Sequence, residues 1–237
     1  MGISKNIKYF KNNYLFKQIF SRMVKKKNIE DDKVDNYKKD EEMNIDTTGL
    51  IDWPHGVNLD YFRTESTSYK DLDRFIHSYV QLDNPYLVDF GSGKGRIVFY
   101  FNHELDIPTT AIEVNRVAFS YLQKNYIKYQ EKFPEKAHKL TILEEKAEDY
   151  QVKKEDNIFY FFNPFTLKIF KKVIRQIEHS LREYPREADI ILYYPGYDYT
   201  FYLEKYSMFG LIQTIKTPMY PVNNRECFKV FRYIPKK

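Results

Sequence analysis

Apolar positions along this chain switch between two periods. From Tyr69 to Gln81, Leu72, Phe75, Ile76 and Tyr79 recur at helical spacing and predict a helix. Five short apolar runs follow, at 86–90, 109–113, 140–145, 158–162 and 189–194, mostly rich in β-branched or aromatic residues. Each reads as a buried strand. Helical patterns separate them. The clearest sets Leu167, Phe170, Val173, Ile174, Ile177 and Leu181 on one face, behind Thr166 as N-cap. Strands alternating with helices predict an α/β fold with a doubly wound, mostly parallel sheet. The last two strands, Leu211 to Thr217 and Cys227 to Ile234, are joined by a Pro- and Asn-containing loop with no room for a helix. A parallel crossover needs roughly a dozen residues, so this pair must form an antiparallel hairpin.

The first 48 residues are patterned differently and read as an N-terminal extension to a domain spanning 49–237. Up to Lys27 there are eight basic residues and no acidic ones, and from Glu30 to Glu42 seven acidic residues against three lysines. Ile3, Ile7, Phe10 and Tyr14 share one side of a notional helix, whereas Phe16, Ile19, Phe20 and Met23 fall nearly opposite. A helix apolar on opposite sides is a poor membrane-surface ligand. The extension therefore reads as an arm that packs on the domain or contacts a partner, with the acidic stretch as a solvated linker.

Composition excludes several classes. With 237 residues and 43% hydrophobic content the chain suits one α/β domain. A net charge of +5 is modest for a protein held mainly by phosphates. Cys227 is the single cysteine, which excludes an internal disulfide framework and a Cys-rich zinc site, and a reducing, cytoplasmic location fits. No run approaches the roughly 20 apolar residues of a membrane span, and no signal-peptide core is visible. The five histidines show no metal-ligand spacing, so no metal is expected.

The chemistry concentrates between Tyr86 and Tyr100, Y-L-V-D-F-G-S-G-K-G-R-I-V-F-Y. An apolar strand carries Asp89, turns through Gly91, Ser92, Gly93 and Gly95, and restarts as an apolar helix. Glycine lets the backbone take positive φ and lets a ligand approach the main chain. The next strand, Thr109 to Glu113, ends in a carboxylate where α/β nucleotide folds hold a ribose. A dinucleotide fingerprint runs G-x-G-x-x-G. Here the turn is G-x-G-x-G, with an acid two places before it. That acid repels a pyrophosphate and suits a ligand carrying an ammonium group.

V-D-F-G-S-G-K-G-R and A-I-E-V resemble the first two motifs of class I S-adenosylmethionine-dependent methyltransferases. Leu140 to Tyr150 is similar to their third strand and the turn beneath the adenine, and Asn157 to Phe165 to their fourth strand with its substrate-side motif. The likeness covers about residues 60 to 235. It implies a Rossmann-like seven-stranded sheet and S-adenosyl-L-methionine as cofactor. Asp89 would then take the methionine ammonium, Gly91 and Gly93 the methionine and ribose, Glu113 both ribose hydroxyls, and Ala147 and Glu148 the adenine. Lys146 stands where the family often has an adenine-binding Asp, so Glu148 or a backbone carbonyl would take that role. Glu65, Thr67 and Tyr69 are candidates for covering the methionine end, or Ser68 is simply an N-cap there. The Tyr cluster at 193–202 either walls the acceptor pocket or belongs to the core.

Asn163-Pro164-Phe165 resembles the N-P-P-[FYW] motif of amino-group methyltransferases, one proline shorter. The likeness implies that the Asn163 oxygen and a nearby carbonyl aim the lone pair of the target nitrogen, with Phe165 stacking on the target or facing the sulfonium. The alternative makes Asn163 a helix cap with Pro164 at the first helical position. The leading expectation is an N-methyltransferase, with a protein acceptor favoured because no dense basic stripe is visible. The alternatives are a non-catalytic S-adenosylmethionine-binding module and an NAD-dependent oxidoreductase.

Overall fold

The computed structural model describes residues 34–53 and 60–235. The basic half of the N-terminal arm lies outside the described residues. Residues 34–42 form helix α1, followed by α2 (Tyr69–Ser78), β1 (Leu87–Phe90), α3 (Arg96–Leu105), β2 (Thr109–Glu113) and α4 (Arg116–Lys132). Then come α5 (Pro134–Ala137), β3 (Leu140–Glu144), a 3-10 turn (Ala147–Asp149), β4 (Ile158–Phe161) and α6 (Leu167–Glu183). The chain ends in β5 (Ala188–Tyr193), α7 (Tyr197–Tyr206), β6 (Gly210–Lys216) and β7 (Cys227–Tyr233). All seven expected strands form, within a residue or two of their expected ends.

One sheet holds the strands in the order β3-β2-β1-β4-β5-β7-β6. The first five run parallel, and β7 joins β5 and β6 antiparallel. The order reverses between β1 and β4, which creates the crevice at the strands' carboxyl ends where α/β sheets bind ligands. Successive strand residues face opposite sides. Leu87 accordingly packs with Phe75, Phe99 and Leu122 of α2–α4, whereas Val88 and Phe90 pack with Val173, Ile174 and Ile177 of α6. Both faces are covered, so β1, β2, β4 and β5 are buried throughout.

Helix caps explain the boundaries near the site. Ser68 accepts a hydrogen bond from the Asp71 N–H at 3.2 Å and starts α2, while Asn115 accepts from the Val117 and Ala118 N–H groups and starts α4. Thr166 is the cap residue of α6, but its hydroxyl donates to Asp60 at 3.0 Å instead of capping.

The reading of residues 30–42 as a solvated linker is corrected where the structure describes it. Asp40 on α1 is buried and accepts hydrogen bonds from the Tyr69 hydroxyl at 2.6 Å and the Thr47 N–H at 2.6 Å. Arg96, also buried, donates to the Thr47 hydroxyl and the Thr67 carbonyl and stands 3.7 Å from Asp40. Met43 and Ile45 enter the core beside them. The boundary expected at 48 therefore falls inside a packed segment. A second difference is α7, a helix where only an aromatic cluster was noted. Its Pro-Gly start and weakly sided sequence hid it.

Candidate active site

Three strand ends build the crevice floor. The turn after β1 is closed by the Gly91 and Ser92 N–H groups, which both donate to the Ile112 carbonyl at 2.9 and 3.0 Å. Gly91 has φ +81° and Gly93 φ +57°, and a β-carbon at either would collide with Pro164 or with the Thr64 methyl. Gly95, at φ +92°, instead lies close to Leu122 and Phe99, so its task is to let α3 pack. Among the described residues the buried Ser92 hydroxyl has no hydrogen-bond partner.

Asp89 and Glu113 are 3% and 5% exposed at the ends of adjacent strands. Burial holds the Asp89 carboxyl well above the usual carboxylate range, and the neighbouring Glu113 pushes the same way. Burial also raises Glu113, but hydrogen bonds from backbone N–H groups pull it back. One Glu113 oxygen accepts from the Gly93 N–H at 2.7 Å, the other from the Asn115 N–H at 2.7 Å. Glu113 thus braces the glycine turn and keeps one face of each oxygen for another donor. The solvent-facing alternative for this carboxylate does not hold. Among the described residues neither carboxyl has an ion-pair partner.

Asn163 sits at φ +41°, a left-handed conformation that Asn tolerates better than most side chains. Its amide donates to the Tyr194 carbonyl at 2.6 Å and accepts from the Gly196 N–H at 3.2 Å. The side chain therefore fastens the end of β4 to the loop after β5, where Tyr194 also has positive φ, 49°. The helix-cap alternative is overturned, since α6 starts four residues later with Thr166 as its cap residue. The Pro164 carbonyl accepts from the Phe62 N–H at 2.9 Å, and Phe165 is buried with its ring edge-on to Tyr61 at 5.9 Å.

A strap formed by residues 51–53 and 60–65 crosses this floor. Ile51 bridges Thr64, Tyr61 bridges Phe165, and the Trp53 indole donates to the Phe62 carbonyl at 2.9 Å. Strap and strand ends close over a narrow crevice with a cavity volume of about 30 Å³. Gly91, Glu113, Ala147, Pro164 and Phe165 line it, together with Trp53, Tyr61, Glu65 and Glu145. Trp53 and Glu145 were not singled out in the sequence. Glu145 stands next to the anomalous Lys146, the one signal that pointed there, and burial raises its pKa.

The structure takes other candidates elsewhere. Tyr69 is 1% exposed, bonded to Asp40 and lying 4.5 Å beneath the Arg96 guanidinium, so it anchors α1 and does not line the crevice. The Thr67 hydroxyl pairs with that of Tyr160 at 2.8 Å. Glu148 lies behind the crevice wall, accepting from the Tyr61 hydroxyl at 2.5 Å. The Tyr cluster divides, with Tyr193, Tyr199 and Tyr202 buried and Tyr197 exposed. Among the described residues no group of His, Cys, Asp or Glu is arranged to hold a metal, and no helix is long and apolar enough to cross a membrane.

No family model and no curated protein matches this chain in sequence. Its fold is that of class I methyltransferases. The glycopeptide N-methyltransferase MtfA complexed with S-adenosyl-L-homocysteine aligns with a TM-score of 0.54 at 12% identity, over 79% of this chain and 100% of that one. The same enzyme complexed with S-adenosyl-L-methionine gives 0.52 at 10% identity, over 70% and 93%. An RNA methyltransferase from Salinibacter ruber in complex with S-adenosyl-L-homocysteine gives 0.48 at 15%, over 73% and 95%. At such identities the likeness to MtfA is one of fold.

Proposed function

We propose that the protein is an S-adenosylmethionine-dependent methyltransferase acting on an amino nitrogen. The observation that carries this reading is the pair of buried carboxyls, Asp89 and Glu113, under a glycine turn and, among the described residues, without an ion-pair partner. A buried charge is costly unless it is paired and hydrogen-bonded. A ligand bringing an ammonium group and a diol satisfies both carboxyls, and a pyrophosphate satisfies neither. S-adenosylmethionine, when bound, supplies an activated methyl group.

The chain's own residues would then divide the work. Asp89 accepts from the ammonium, Glu113 accepts from the ribose through the lone pairs its backbone donors leave free, and Ala147 with Ile112 flanks the base. Glu145 lines the same crevice and is the nearest replacement for the acceptor missing at Lys146. The fit is tightest at the methionine end. Thr64 and Pro164 rest on Gly93 and Gly91, so a ligand reaching the turn's main chain displaces the Thr64 methyl. On the acceptor side, Asn163 holds the β4 and β5 loops at one spacing and offers its second oxygen lone pair to the incoming amine. Orientation of this kind is worth up to roughly 7–11 kcal/mol. A strong general base is unnecessary if the amine arrives neutral.

One observation favours the non-catalytic binding module. The Asn163 oxygen and the Pro164 carbonyl, the two acceptors that would aim the amine, each already accept a backbone N–H. The readings part in two measurements. Calorimetry with S-adenosylhomocysteine and NAD tests the site, and tighter binding of NAD would overturn both readings. Labelling a lysate with radioactive methyl donor tests catalysis, and a ligand that binds without transfer would leave the module.

A further inference from the structure

The outward face of α6 carries Lys168, Lys171, Lys172 and Arg175 within about two turns, while Ile169, Phe170, Val173 and Ile174 point to the core. Lys168 pairs with Asp60 at 3.1 Å and Lys172 stands 3.7 Å from Glu148. Among the described residues, Lys171 and Arg175 have no carboxylate at ion-pair distance. The linear sequence shows no basic stripe here because apolar residues interrupt the cations. Helical winding assembles it.

Helix α7 packs beside this face, with Tyr199 stacked on Phe170 at 3.7 Å. Its exposed large hydrophobic side chains are all aromatic: Tyr197, Phe201 and Tyr206 are 81%, 40% and 67% exposed. The rings form a chain. Lys171 Nζ lies 5.4 Å from the Tyr202 ring, Tyr202 is 6.1 Å from Tyr206, Tyr206 6.0 Å from Phe201, and Phe201 5.9 Å from Tyr197. Tyr197 directly follows Gly196, whose N–H reaches Asn163. The ridge therefore runs from the cations of α6 to the rim of the candidate active site. Asp198 and Glu204 also lie on the outer face of α7, with Lys205 next to Glu204.

Exposed rings beside cations that have no carboxylate partner among the described residues suit a single nucleic-acid strand, since bases stack on π faces and phosphates seek cations. We propose that this α6–α7 face is a track for a single-stranded nucleic acid. Phosphates meet Lys171 and Arg175, and bases stack on Tyr197 and Phe201. The proposal rests on the methyltransferase reading only in making the base beside Asn163 the methyl acceptor. Binding along the track does not need the cofactor.

The test is fluorescence anisotropy of a labelled, unstructured RNA of about 15 nucleotides with the full chain. The expected result is saturable binding that weakens steeply from about 50 to 200 mM salt. Tyr197→Ala combined with Phe201→Ala weakens it ~10–100-fold through lost stacking. Lys171→Glu combined with Arg175→Glu weakens it and makes the salt dependence shallower. Calorimetry with S-adenosylhomocysteine on every variant checks that the fold and the cofactor crevice are intact. Absence of binding at low salt, or equal binding by the variants, overturns the track. So does ring-dependent self-association in sedimentation without RNA binding, which makes the ridge a contact between copies, or capture of an unlabelled basic peptide in place of RNA. RNA binding with no affinity for S-adenosylhomocysteine removes the methyltransferase reading and leaves the track standing.

Discussion

At the ends of β1 and β2, Asp89 and Glu113 bring two carboxyls into the interior with no cation of the described residues at ion-pair distance. At the ends of β4 and β5, Asn163 already has a partner for each end of its amide, in Tyr194 and Gly196. Both regions sit at strand ends of one sheet and both depart from relaxed geometry. The first is electrostatically incomplete, which is what a half built to hold a charged ligand should be. The second is sterically fixed, with two positive-φ residues facing each other, which is what a half built to hold a spacing should be. Under the proposed function, the contrast would give affinity to one half and orientation to the other.

The largest expected effect tests the orienting half. Asn163→Ala removes the tie between the two loops and the oxygen offered to the amine, and misplacement of this kind can cost ~100-fold in turnover. Affinity for S-adenosylhomocysteine should be preserved. Stability should fall as well, because alanine at φ +41° is strained by about 1 kcal/mol and two hydrogen bonds are lost. Single-turnover rates and melting curves on one preparation separate these effects. A preserved rate per folded molecule would reduce Asn163 to a loop fastener.

Next in size is Asp89→Asn, which tests the incomplete half. Removing the charge should weaken S-adenosylhomocysteine binding by ~10–100-fold, the worth of a hydrogen bond to a charged partner. The melting temperature of the free protein should hold or rise, because an uncompensated buried carboxyl disappears. Weaker binding with a lower melting temperature would make Asp89 a structural group.

How much of this could be read beforehand depends on whether the signal was local. The glycine turn, Asp89 and Glu113 were legible, because β-strand period and φ demands are written in adjacent residues. The doubly wound, mostly parallel sheet followed from alternation and the terminal hairpin from the short final loop, whereas the seven-stranded form came from the resemblance. What escaped was tertiary. Tyr69 has the right neighbours in sequence for the methionine end, yet it is buried against Asp40 and Arg96. Asp40 lies in a strongly acidic run that composition marks as solvated, but one buried arginine reverses that. Glu145 and the strap residue Trp53 became visible only once the chain folded over the turn.

The same comparison makes a pH prediction. A cation binds the ionised Asp89, whereas burial and Glu113 hold its folded-state pKa above the ordinary value of 3.8. Affinity for S-adenosylhomocysteine should therefore rise with pH through that elevated pKa, by at most about tenfold per pH unit, with a proton released on binding. The sign for stability is opposite. A carboxyl with a raised folded pKa stabilises the free protein fully below its unfolded pKa, and that contribution is lost as pH rises through the folded value. Calorimetry in buffers of different ionisation heat measures the released proton, and the Asp89→Asn variant should flatten the profile. A profile unchanged by that substitution would move the titration to another group, with Glu113 the first candidate.

The smallest expected effect concerns the strap that spans both halves. The Tyr61 hydroxyl donates to Glu148 at 2.5 Å, and Lys172 approaches the same carboxylate at 3.7 Å. Burial and Glu148 raise the Tyr61 pKa, so the phenol remains a donor across the working range. Tyr61→Phe keeps the ring against Trp53 and Phe165 and removes only the hydroxyl. Glu148 retains Lys172, so the loss of stability should be about 1.5 kcal/mol, at the low end for a hydrogen bond to a charged group. A double-mutant cycle with Glu148→Gln isolates the pairwise part by denaturant unfolding. A coupling close to zero would mean that the strap is held by its ring contacts and by the Phe62–Pro164 backbone bond. The hydroxyl would then play no part in setting how closely Thr64 rests on the glycine turn. A clear coupling, with faster association of S-adenosylhomocysteine to Tyr61→Phe, would show that this bond sets the strap's grip on the crevice.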